Sequence, residues 1–452
     1  MPQTDRLGLL HRGIAVAMIL FLIFYLSVSV TLADPKLGIL IAVSCLFLGG
    51  KRLLEPHIWP ILAIICYNTF LAIFFPGPRP DIGLMMAHPL YELDCALLAA
   101  LVLGGQPLGR QYLLLLGILA VSLFGTIGDL TGHDMTALLP FQMPEDDYFD
   151  KVTMLQGGIA RVRGFFPESG VLGAVSLGIT SMTILGTLIL IRLRANLRFA
   201  WAGLLATAPM GGAIFLLTVT KTGLMMVGAA VVGYLAVLFV ARNPRCRFFA
   251  CVSFVLAVVA CAAFLSIPSS LTGYLRGEIA AMMHPDQMGA AMASHSGMIT
   301  RLKCWMLAFT SLKYYPLGVG PYGLGSVISK AGEGGFTSEM RFFFSRDVFG
   351  LKNTFANLIS QCGMVGLGLL GYWLWIAFIK PIRHLLADGS SRGAIIGGIY
   401  GASAVASLAF MFSCELYPSL AFILVLKFHA DAVAQACARA AEAEADEAET
   451  LA

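Results

Sequence analysis

The chain has 452 residues, of which 58% are hydrophobic and 12% charged, with a formal net charge of +4 and a mean hydropathy of +0.82. Those values lie outside the range of soluble globular domains and point to a polytopic membrane protein. The expected fold class is all-α, with about twelve transmembrane helices and a long outer-face loop, since a hydrocarbon core of about 30 Å needs roughly 20 apolar residues per crossing.

In chain order the apolar stretches centre near residues 22, 44, 67, 97, 119, 180, 209, 231, 257, 367, 402 and 423. The second, LGILIAVSCLFLGG, is barely long enough to cross, and the alternation of charge decides in its favour. Basic residues recur in every other loop: Arg6 and Arg12, Lys51 and Arg52, Arg110, Arg192 with Arg194 and Arg198, Arg242 with Arg245 and Arg247, then Lys380, Arg383 and Arg392. Lys and Arg mark loops retained in the cytoplasm, so the pattern predicts an uncleaved first helix and both termini inside. Two loops on the other side are long, residues 129–168 and 268–353, and long translocated loops are exempt from the charge rule. Residues 1–436 read as one helical membrane domain including those loops. Residues 437–452, rich in Ala and Glu, read as a solvated helix or a disordered cytoplasmic end. The ten cysteines mostly fall in or beside apolar runs without CxxC spacing, which argues against structural disulfides.

Several polar groups stand out along this frame. Glu92 and Asp94 in YELDCALL are placed at the outer end of a helix, where they could hold a divalent ion, act as acid and base, or pair structurally. The cluster EDDYFD at residues 145–150 reads more readily as a solvated loop face than as a cation site. In RVRGFFPESG, Arg161 and Arg163 precede a helix start at Pro167-Glu168-Ser169. Snorkelling arginines and a capping glutamate are one account of it; a phosphate held between the arginines and free helix amides is the other. In LLTVTKTGLMMVG, Lys221 falls in a very short break between two apolar helices, flanked by Thr218, Thr220 and Thr222, whose hydroxyls could donate to the same anion.

The loop at 268–353, about 85 residues, far exceeds an ordinary connection. Its segments RLKCWMLAFTSLKYYPLGVGPYGLGS and MRFFFSRDVFGLKNTFANLIS alternate cations with aromatics, as helices lying in the membrane interface do. Gly318, Gly320, Pro321, Gly323 and Gly325 mark a sharp, close-packed turn; no GK[ST] follows, so it is not a P-loop. His133, His284 and His295 show no zinc spacing. No nucleic-acid module is visible.

These segments, in this order, resemble the bacterial O-antigen ligase and polymerase superfamily of membrane glycosyltransferases. Arg163, Gly164, Phe166, Pro167 and Glu168 look like its first motif, TVTKTG at 218–223 like its second, and Arg301 with Trp305, PLGVGPYG and KNTFANLISQCGMVGLG like the segments of its long outer loop. The similarity covers roughly residues 150–380. Lys221 replaces a usual arginine and Lys352 a usual histidine. The second departure removes the imidazole of the ligases and favours a polymerase of exopolysaccharide or O-antigen repeat units over transfer to lipid A-core.

The resemblance implies an undecaprenyl-diphosphate-linked oligosaccharide as donor and a growing polysaccharide or lipid A-core as acceptor, in the bacterial inner membrane, with a flippase and a chain-length regulator as further partners. No nucleotide, metal or cofactor is required. Arg161, Arg163, Lys221 and Arg301 are assigned to the diphosphate, with Arg341, Arg346 and Lys352 as further candidates. Glu168 is the first choice of base and His295 the second. A transporter of lipid-linked sugars is the principal rival, although the chain lacks the two matched halves usual for one; a structural export partner is another.

Overall fold

The computed structural model describes residues 42–45, 55–75, 82–133, 135, 153–154, 160–161, 169–195, 197–218, 220–267, 297–321, 323–324, 326–327, 353–413 and 419–451. Nearly all of these are helical. In chain order the helices are α1 (Trp59–Phe74), α2 (Ile82–Leu103), α3 (Leu108–Leu130), α4 (Ser169–Arg192), α5 (Leu197–Thr218), α6 (Lys221–Val240), α7 (Pro244–Ser266), α8 (Gly297–Tyr314), α9 (Thr354–Leu374), α10 (Lys380–Ala387), α11 (Ser391–Ser413) and α12 (Ser419–Leu451). A π-helical turn, Trp375–Ile379, joins α9 to α10. The β structure among the described residues is one antiparallel pair of two-residue strands, β1 (Thr153–Met154) and β2 (Ala160–Arg161).

The chain is an all-α, multi-pass membrane protein. Seven of the described helices are long and apolar enough to cross a bilayer. Every expected centre from residue 67 onward falls inside a described helix. Of the two earlier ones, residues 42–45 form a helical turn and the rest lie outside the described residues. The tail beyond Cys437 continues α12 as helix through Leu451.

Helix ends sort into two sets. The breaks at Arg192–Leu197, Val240–Pro244 and Ala387–Ser391 carry the arginines and form the basic end. Ser169, Lys221, Thr354 and Ser413 stand at the opposite end. Cross-helix contacts fix this antiparallel order. Trp373 Nε1 donates to His57 O at 2.8 Å, whereas Asn68 Nδ2, further along α1, meets Gln361 Oε1 at 3.0 Å.

The centre of the bundle is α11, buried along most of its length, packed between α6 and the buried first half of α12. Without a hydrophobic drive between helices in lipid, close backbone approach supplies the attraction. At the α6–α11 crossing, a β-carbon on Gly233 would stand 2.2 Å from Gly401 O, so only glycine fits. Large apolar side chains exposed on α3, α5 and α7, such as Leu113, Leu205 and Phe254, face outward as lipid requires.

Several polar groups within the bundle pair with one another, which lowers the cost of holding them in hydrocarbon. Tyr400 OH donates to Asp431 Oδ1 at 2.9 Å, and Lys427 Nζ pairs with Asp431 one turn along α12. Tyr112 OH and Thr187 Oγ1 are 3.0 Å apart. Asp94 is fully buried in the interior of α2, not at a helix end as expected, and neither carboxylate oxygen has a hydrogen-bond partner among the described residues.

Candidate functional site

The first two sequence segments meet at the end of the bundle opposite the arginines. Helix α4 starts at Ser169, where the Pro-Glu-Ser signal put it. One turn in, Gly173 faces Thr220 so closely that a β-carbon there would lie 1.8 Å from Thr220 Oγ1. Gly223 answers from the other side: its own β-carbon would stand 3.0 Å from Gly173 O and 2.4 Å from Leu177 Cδ1.

Thr220 is the N-cap of α6. Its backbone is extended (φ −106°, ψ 131°) and its side chain accepts from Gly223 N at 3.3 Å. The preceding helix ends at Thr218, so the break between α5 and α6 is as short as the sequence indicated. Lys221 is therefore the first residue of α6; its side chain is not described. A cation at a helix N-terminus opposes the macrodipole, and an anion there would gain from both. Of the flanking threonines, Thr218 donates its one hydroxyl hydrogen to Ile214 O at 2.8 Å, which leaves it unable to donate to a ligand. Thr220, whose oxygen accepts from Gly223 N, donates its hydrogen to no partner among the described residues.

The third segment joins through α11. Ser413 Oγ, at the last turn of α11, lies 3.7 Å from Met225 Sδ on α6. Its neighbour Phe412 stacks on Trp305 of α8, ring centroids 4.6 Å apart, with Phe355 of α9 5.3 Å from the same indole. Trp305 Nε1 is buried without a hydrogen-bond partner among the described residues. Arg301 lies one turn before Trp305 on α8; its backbone is described and its side chain is not.

Asn353 ties this cluster to the chain entering α9. As N-cap it accepts from Ala356 N at 3.0 Å, and its Nδ2 donates to Phe412 O at 2.7 Å. It is fully buried. In KNTF the candidate read from the sequence is Lys352; Asn353, an Asn immediately before a helical run, carries a usable N-cap signal that the candidate set lacks.

The glycine-rich turn docks here too, as a close-packed element rather than a helix. Gly320 N donates to Gln361 O at 2.9 Å, Val319 N to Ser360 O at 3.0 Å, and Met364 N to Pro316 O at 2.8 Å. Gly363 has φ 57°, which breaks α9 and frees those carbonyls for the turn. A β-carbon on Gly363 would meet Pro316 O at 2.2 Å, and one on Gly318 would meet Gln361 O at 2.2 Å. Around them Cys304, Leu307, Val319, Val327 and Ile359 form a separate small core. This part of the long loop is thus packed against α9, not merely laid over the bundle.

Of the other candidates, Arg161 has its backbone in β2, paired with Thr153, and its side chain is not described. Arg163, Glu168, His295, Arg341, Arg346 and Lys352 lie outside the described residues, as does the acidic cluster 145–150. Glu92 is described in backbone only, on α2. No protein-family model and no curated protein matches the chain.

Proposed function

We propose that the chain is a membrane glycosyltransferase that polymerises polysaccharide repeat units, taking the growing glycan or the next unit from an undecaprenyl-diphosphate carrier. It would act at the extracytoplasmic face of the bacterial inner membrane, with the basic end and both termini in the cytoplasm. The observation that carries this reading is the seam from Gly173 through Thr220, Met225 and Ser413 to Phe412, Trp305 and Asn353. It joins, at one end of the bundle, the helix entrance after Arg163 and Glu168, the turn bearing Lys221 and the helix bearing Arg301.

An acceptor hydroxyl attacks the anomeric carbon, the bond to the diphosphate oxygen breaks, and the polyprenyl diphosphate leaves with the electron pair. Arg161, Arg163, Lys221 and Arg301 neutralise the charge that grows on that oxygen, aided by Arg341, Arg346 and Lys352. Each contact that strengthens as the leaving group ionises contributes about 2.7 to 4 kcal/mol, by analogy with an oxyanion-hole donor. Glu168 takes the acceptor's proton, with His295 as the second choice. The chemistry is assigned to side chains alone, without metal or nucleotide.

Arg163→Ala, expressed in the host, tests the proposal through its lipid-linked saccharides. Single repeat units stranded on the carrier at the outer face are the expected result. Accumulation inside would point to a transporter, loss of glycan transfer to lipid A-core with normal polymer to a ligase, and an unaltered profile would overturn the reading.

A further inference from the structure

At the basic end, Arg192, Arg194 and Arg392 line one cavity, widely open to the surface and of about 510 Å³, together with Leu193, Ser391 and Ile395. The positive-inside tendency explains arginines in such loops, but not why three converge. Two details of construction bear on that.

The first is backbone conformation. After α4 the chain closes with Ala195 N on Leu190 O at 2.8 Å and Arg194 N on Ile191 O at 3.1 Å, the paired bonds of a Schellman turn. The residue in its left-handed position is Arg194, φ 53°, where glycine is the usual occupant. It is the one non-glycine residue with positive φ among the described residues. A side chain kept in an unfavourable backbone well points to a use for that side chain.

The second is charge. Arg392 Nη1 pairs with Glu444 Oε2 at 3.2 Å, and its Nη2 donates to Cys437 O at 2.9 Å. Arg192 and Arg194 have no ion pair among the described residues. Among the described residues, three guanidiniums against one carboxylate leave two positive charges uncompensated at the cavity. Ser391, held by Asn243 Nδ2 at 2.8 Å, opens α11 at the same place, so the positive end of that helix adds to them. Glu444 is more than half exposed on the extension of α12 and can swing away.

We propose that Arg192, Arg194 and Arg392 form a phosphate-binding site at the basic end of the bundle, and that Glu444 occupies it in competition with the ligand. Guanidinium forks match phosphate oxygens two at a time. The apolar rim of Leu193 and Ile395, at the ends of two helices long and apolar enough to cross a bilayer, suits the phosphodiester headgroup of an anionic phospholipid; free phosphate offers the same chemistry. The site stands apart from the proposed transfer chemistry at the other end.

The purified full chain in detergent is titrated with phosphatidylglycerol, with phosphatidylcholine and with inorganic phosphate, and retained ligand is measured by native mass spectrometry. Arg194→Gly removes the guanidinium while relaxing the backbone, so its effect is not one of misfolding. It should weaken binding about tenfold or more, the loss of one charge-assisted pair, and Arg192→Gln should do likewise. Glu444→Gln should tighten it several-fold. Arginine-dependent retention of phosphatidylglycerol over phosphatidylcholine identifies a lipid headgroup; the same dependence with inorganic phosphate alone identifies a soluble phosphate. If Arg194→Gly binds every probe as the native chain does, or Glu444→Gln leaves all affinities unchanged, the proposal is wrong.

Discussion

Thr220 Oγ1 occupies the space that a β-carbon on Gly173 would need, 1.8 Å from where that carbon would sit. The contact pins the first turns of α4 to the cap of α6 and leaves neither helix room to slide. Gly173→Ala should therefore destabilise the protein by about 1 to 3 kcal/mol through overpacking. Thr220→Gly removes the obstructing side chain at a cost of only a few tenths of a kcal/mol as a cap. The double variant should recover most of the stability lost by Gly173→Ala, a coupling visible in thermal unfolding in detergent. Additive losses would mean that the two residues do not touch.

Lys221 as the first residue of α6 sets a cation against the helix dipole. Lys221→Gln should raise the unfolding temperature slightly, by the equivalent of about 0.3 to 1 kcal/mol. The same change should abolish or sharply reduce polymer formation, whereas Lys221→Arg should preserve it. Polymer made at native levels by Lys221→Gln would remove this residue from the proposed diphosphate site.

Asn353 performs two tasks, and they can be separated. Asn353→Ala loses the cap, about 0.5 to 2 kcal/mol, and also leaves the Phe412 carbonyl without its donor, a further loss of about 1 to 3 kcal/mol. Asn353→Ser restores the cap but is too short to reach Phe412, so its unfolding temperature should fall between those of Asn353→Ala and the native chain.

His57, in the turn before α1, has its pKa pushed down from 6.5 to about 3, chiefly by burial and secondarily by Lys427. Glu55 Oε2 is 3.1 Å from Nε2 but not in hydrogen-bonding geometry, and it does not offset the burial. Between pH 3 and 6.5 the unfolded chain thus binds more protons at this site than the folded one. Its contribution to stability is complete above about pH 6.5 and is lost as the pH falls toward 3. His57→Gln should flatten that part of the unfolding-temperature profile, measured from pH 7.5 down to pH 5, while keeping the backbone bond from Trp373. An unchanged slope would show that the ring is already solvated.

Much of this arrangement was legible in the sequence. Transfer of a helix into lipid is a sum over its own residues, so the apolar runs located α1 to α7, α9, α11 and α12, and Pro167-Glu168-Ser169 marked the start of α4. The placement of Asp94 at a helix end was wrong, because apolar residues on both sides let α2 run twelve residues before it. The glycine-rich turn was recognised, yet its partner was not: Gln361 and Gly363 lie more than forty residues away, and nothing local to them announces a broken helix. Gly173 escaped notice for the same reason, and so did the second task of Asn353: its cap on Ala356 N is local, but the Phe412 carbonyl it also holds belongs to another helix.

What the amino-acid order alone determined is which segments form apolar helices and, at most of them, where those helices begin, through hydrophobicity, proline and glycine. What only the tertiary structure decided is which crossings touch: Gly173 on Thr220, Gly233 on Gly401, Phe412 on Trp305, and three arginines around one cavity. Insertion is an independent free energy for each helix, whereas packing is a property of pairs. In a lipid that is as apolar as the side chains, the pairs are chosen by backbone proximity and by the need of each buried polar group for a partner.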